Sequence, residues 1–106
     1  MKEKENMFGL TVGVLEEVRS GVESALNIPL SAHDSLYFGG GYFRYSDEKI
    51  SVLLHENFIE DDGAPTAADF PEVAVLLYVS GDGVVVDQVS EKMFQLCFRL
   101  LCSNTC

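Results

Sequence analysis

A chain of 106 residues that is 47% hydrophobic and carries seven Phe has the length of one domain, residues 1–106, and enough apolar mass for one core. Its net charge of −10 repels nucleic acid and anionic membrane, and its apolar content excludes a disordered acidic tail. No apolar run approaches the roughly 18 residues of a membrane span, Met1-Lys2-Glu3-Lys4-Glu5-Asn6 alternates charge unlike a signal peptide, and the cytoplasm is the expected compartment.

Residues 6–26 read as a helix. Leu15, Val18, Val22, Ala25 and Leu26 recur at helical spacing, while Glu16, Glu17, Arg19, Ser20 and Glu23 take the other face. Asn6 or Thr11 supplies the cap. Gly9 and Gly13 weaken the first half, which moves the start toward Thr11. Asn27 suits the helix end, and Pro29 forbids continuation. Residues 28–35 read as a connection.

Gly39-Gly40-Gly41 cannot sit inside a helix without a large entropic cost. The aromatic residues on either side favour strand. Residues 42–46 are expected as a strand, Asp47-Glu48 as a turn, and residues 49–58 as a second strand. Ile50, Val52 and Leu54 alternate there against Ser51, Leu53 and His55. The short turn makes the pair an antiparallel hairpin. Alternation places Tyr42 and Arg44 on one face, and Phe43 and Tyr45 on the other.

Residues 60–71 form a loop, marked by Asp62-Gly63, Pro65 and Pro71. Residues 73–79 are nearly all apolar, as in a central strand buried on both faces. Val84-Val85-Val86 either closes a hairpin through Gly81-Asp82-Gly83 or leads into a last helix. Asp87 is the expected N-cap of that helix. Val89, Met93, Leu96, Cys97, Leu100 and Leu101 carry its spacing to about Cys102. The fold class is α+β: a small antiparallel sheet, hairpin plus central strand, with N- and C-terminal helices packed on one face. The other face, or an edge, is left for a partner.

The sequence advertises no intrinsic chemistry. His33 has no neighbouring ligands, and His55 and Glu56 point to opposite faces of a strand. His55 is expected to be polar and partly exposed. No serine sits in a G-x-S-x-G elbow. The glycine triplet lacks the Lys-Ser/Thr of a phosphate loop. Glu60-Asp61-Asp62-Gly63 lacks the alternation of a calcium loop. Cys97, Cys102 and Cys106 form no CxxC, and Cys97 is expected in the core. No catalytic residue, metal or cofactor is expected, and the chain is read as a non-enzyme.

Charge is the strongest signal. Between Lys49 and Lys92 there is no Lys or Arg, yet there are nine carboxylates: Glu56, Glu60, Asp61, Asp62, Asp69, Glu72, Asp82, Asp87 and Glu91. Such a surface selects a positively charged partner. The expected partner-binding residues are Glu56, Glu60, Asp61, Asp62, Asp69 and Glu72, with Tyr42 and Arg44 added because interface anchors are enriched in Tyr and Arg.

Gly41-Tyr42-Phe43-Arg44-Tyr45, the strand from Ile50 to Phe58, Asp69-Phe70-Pro71-Glu72 and Val75-Leu76-Leu77-Tyr78-Val79 form a pattern over residues 40–79. It resembles small bacterial immunity proteins, which neutralise polymorphic toxins of contact-dependent growth inhibition or type VI secretion. The resemblance implies a cytoplasmic, stoichiometric inhibitor, monomeric when free, that binds a cognate toxin domain, commonly a basic nuclease. A secretion chaperone for an exported effector is the alternative; it would be a stable dimer, which a hydrodynamic mass distinguishes.

Overall fold

A computed structural model of the protein describes residues 3–11, 13–35, 40–57 and 73–105. The elements in chain order are β1 (Glu3–Leu10), α1 (Leu15–Leu26), β2 (Ser31–Ser35), β3 (Gly40–Ser46), β4 (Ile50–Glu56), β5 (Val75–Asp82), α2 (Gly83–Gln95) and β6 (Arg99–Thr105). The strands form one six-stranded sheet in the order β2-β3-β4-β5-β1-β6, and every pairing is antiparallel.

The architecture is mixed α+β, and its sheet is twice the expected size. The β3–β4 hairpin and the β5 strand lie where the residue pattern places them. Leu76 and Leu77 of β5 are fully buried, as a strand between two others requires. Three strands are additions. Residues 3–10, of which 6–10 were expected to begin a helix, are β1. Residues 31–35, expected as a connection, are β2. Residues 99–105, of which 99–102 were expected to finish the last helix, are β6. The two helices are therefore not terminal elements, because a strand precedes the first and follows the second.

Both helices differ from expectation at their starts. Val14 is the N-cap of α1 and offers no side-chain hydrogen bond, so neither Asn6 nor Thr11 caps it. At its end Asn27 takes the left-handed conformation, φ 55°, as Asn at a helix terminus does. The cap of α2 is Asp82 rather than Asp87: its carboxylate accepts from the N–H groups of Val84 and Val85. This settles the Val84-Val85-Val86 alternative in favour of helix. The helix stops at Gln95, and Cys97 follows with φ 70°, exposed rather than in the core. That reversal turns the chain back as β6.

The register defines two faces. Phe43, Leu54, Leu77 and Phe8 form one row across four strands, and Tyr45, Val52, Val79 and Asn6 form the next. These side chains face the core. They cluster with Val22 of α1 and with Val86, Val89 and Met93 of α2. Arg19 of α1 lies over the Phe43 ring at 4.6 Å, and Phe94 of α2 meets Phe8 edge to face at 5.8 Å.

Gly81 explains how β4 and β5 approach so closely. Its φ is 139°, and a Cβ there would run into the Lys49 carbonyl.

Candidate partner-binding surface

Alternation carries the remaining strand side chains to the other face. Tyr42, His55, Leu76 and Gly9 form one row of it. Arg44, Leu53, Tyr78 and Met7 form the next, followed by Ser46, Ser51, Ser80 and Glu5. The structure thus brings Tyr42 and Arg44 to the same face, as the sequence pattern requires.

This face contains a shallow groove of about 320 Å³ whose wall includes Glu5, Tyr42, Arg44, Leu53, Tyr78 and Ser80. All the residues that line it belong to strands β1, β3, β4 and β5. Its chemistry is amphipathic: aromatic and aliphatic side chains in the middle, Arg44 and the serine hydroxyls beside them, and Glu5 across the sheet. Arg44 is exposed and makes no ion pair among the described residues. Two other cations are engaged elsewhere: Lys4 pairs with Asp87 at 2.7 Å, and Arg19 with Glu16 at 3.7 Å and Glu23 at 3.5 Å.

Two stacked ring pairs stiffen the face. His33 of β2 stacks on Tyr42 with 5.3 Å between centroids, and His55 of β4 stacks on Tyr78 at 5.5 Å. His55 is fully buried, not partly exposed as its sequence setting suggests. Its Nδ1 lies 2.8 Å from the Glu56 carbonyl oxygen, which only accepts, so the ring proton sits on Nδ1. Burial lowers the pKa of His55 below the ordinary histidine value, and the hydrogen bond to the Glu56 carbonyl opposes that shift in part. The ring is a neutral structural element under the groove.

Glu56 is exposed, but it alternates away from His55 and so does not belong to the Tyr42 row. Glu60, Asp61, Asp62, Asp69 and Glu72 lie outside the described residues. Glu5, Leu53 and Tyr78 were not singled out by sequence reasoning. Tyr78 lies in an apolar run that reads as buried on both sides, and Glu5 lies in the charge-alternating segment 1–6, to which no element was assigned before Asn6. The available signal was period-two alternation in residues 3–8, where Lys4, Asn6 and Phe8 take one face and Glu3, Glu5 and Met7 the other.

Among the described residues no group of three His, Cys, Asp or Glu side chains is placed to hold a metal ion. No described helix is long and apolar enough to cross a membrane.

No known family model matches the chain, and comparison with curated proteins finds no match.

Proposed function

We propose that this chain is a cytoplasmic immunity protein, monomeric when free, which binds a cognate basic toxin domain of nuclease type and neutralises it without chemistry of its own. On this reading both helices cover one face of the sheet, and the other face is left to the toxin. The observation that carries the proposal is the amphipathic groove around Tyr42, Arg44 and Tyr78 on a strand face of a chain with net charge −10. Aromatic and Arg anchors supply contact energy, and the acidic field supplies recruitment. Glu56, Glu60, Asp61, Asp62, Asp69 and Glu72 concentrate that field in one part of the chain.

The test is binding to the product of the reading frame directly upstream. A one-to-one complex is expected in light scattering, with an association rate that falls as salt rises. Neutralising Glu60, Asp61, Asp62, Asp69 and Glu72 together, as Gln or Asn, should slow association and flatten the salt slope. Absence of a complex would overturn the proposal. A complex whose rate and salt slope ignore the five substitutions would remove the acidic segment from it.

A further inference from the structure

We infer that the groove is polar end to end: Arg44 takes a carboxylate of the bound protein, and Glu5 takes a Lys or Arg of the same docking element. The inference rests on the proposal that the chain binds a basic protein, and it adds how that protein is oriented. Arg44 stands on β3 and Glu5 on β1, with β4 and β5 between them. Three strand spacings separate their strands by about 14 Å. Between the two charges lie Leu53, Tyr78 and the hydroxyls of Ser51 and Ser80, and Tyr42 flanks Arg44 on the side away from Glu5.

Charge complementarity identifies the occupant. In a chain of net charge −10, Arg44 is an exposed cation with no ion pair among the described residues, as Lys49 and Lys92 are, and of these three it is the one that lines the groove. Long-range attraction of a basic partner gains nothing from it and is slightly weakened by it. What Arg44 offers is a rigid fork of N–H donors beside aromatic surface, which matches a planar carboxylate. A free small anion would have to approach against the whole negative field. A carboxylate attached to a basic protein arrives with it. Glu5 at the far end then pairs with a cation and fixes the direction in which the element lies.

The two explanations of binding give opposite signs for one substitution. Arg44→Glu takes the net charge from −10 to −12, a change of two. If only the acidic field mattered, this variant would bind the product of the upstream reading frame faster and at least as tightly. If Arg44 grips a carboxylate, dissociation accelerates and affinity falls about tenfold or more. Arg44→Lys keeps the charge, loses the fork and should fall between wild type and Arg44→Glu. Glu5→Lys should weaken binding in the same assay, at the cation end of the groove. Arg44 and Glu5 are both exposed, so unfolding curves of the variants should overlay wild type and separate contact from folding. Wild-type binding that Arg44→Glu leaves unchanged or strengthens overturns this inference and leaves the proposed function standing. Failure of the wild-type protein to bind at all overturns both.

Discussion

Asn6 Nδ2 donates to Ser90 Oγ at 2.8 Å, joining β1 to α2 across 84 residues of chain. Ser90 Oγ donates onward to the Val86 carbonyl at 2.7 Å, and Ser103 Oγ of β6 donates to Asn6 Oδ1 at 2.6 Å. Asn6 is 2% exposed, so its amide stands in the core with both ends satisfied. This chain of bonds holds β6 and α2 in register on β1.

Asn6→Ala should therefore lower the unfolding free energy by about 1–3 kcal/mol, because it removes two hydrogen bonds at once and leaves buried Ser90 without its donor. Ser103→Ala, at an exposed residue, should cost less. Urea titration of the two variants checks the order. An unchanged midpoint for Asn6→Ala would show that the network contributes nothing net.

Gly81→Ala should destabilise by at least about 2 kcal/mol, since the new Cβ meets backbone that cannot swing away and φ 139° is strained for any L side chain. Gly9→Ala meets the Val73 Cγ1 at 2.6 Å and the Leu101 Cδ1 at 2.9 Å. Those are side-chain atoms, so the cost should be smaller, about 1–3 kcal/mol. Thermal unfolding ranks the pair, and Gly9→Ala proving the more harmful would contradict the close approach of β4 and β5 at Gly81.

His55 predicts a pH dependence of known sign. Its folded pKa is depressed, chiefly by burial, so the unfolded chain binds its proton more readily. The stability it contributes is complete above the unfolded value of about 6.5 and is lost as pH falls from there toward the folded value, at up to about 1.4 kcal/mol per pH unit. The wild type should lose stability relative to His55→Phe between pH 7.5 and 5.5. The difference between the two isolates His55, because loss of net negative charge on acidification acts on both alike. Parallel pH profiles would mean that folding leaves the proton affinity of the ring unchanged.

The β3–β4 turn should respond at a lower pH. Asp47 accepts from the Tyr45 hydroxyl at 2.6 Å, the Lys49 N–H at 2.8 Å and the Ile50 N–H at 2.9 Å. The Tyr45 bond first, then the two backbone bonds, lower its pKa below the usual 3.8. Its contribution is present above the unfolded value and is lost as pH falls through the folded one. Asp47→Asn should melt below wild type at pH 7, and the gap should narrow as pH falls below 3.8. A gap that persists at acid pH would assign the turn's stability to something other than the carboxylate.

Short-range pattern was enough for the β3–β4 hairpin, though not for β2, which pairs with β3 just as locally but reads as a connection. Ile50, Val52 and Leu54 alternate cleanly against Ser51 and Leu53, and a short turn joins β3 to β4, so the hairpin and the shared face of Tyr42 and Arg44 were legible. Asn27 and Pro29 marked the end of α1 for local steric reasons. The groove was half legible. Tyr42 and Arg44 come from this hairpin, whereas Glu5 comes from a strand whose neighbours are β5 and β6.

Tertiary structure decided β1 and β6, and the reason is that their alternation is broken by residues whose partners are remote. Lys4 and Asn6 alternate onto the same face of β1 as Phe8, at positions that would ordinarily be apolar, and each is satisfied from α2, by Asp87 and by Ser90. Without those partners in view, Phe8 and Leu10 join the helical spacing that follows. In β6 the register shifts opposite Met7 and Phe8, so that Leu100 pairs with Phe8 and Cys102 with Met7. Leu100 and Leu101 consequently fit a helix period as well as a strand. Composition and local spacing determined an acidic α+β domain with a central hairpin; the pairings of β1 with β5 and β6, between residues 65 or more apart in sequence, decided that the sheet extends beyond β5 and which charges share its open groove.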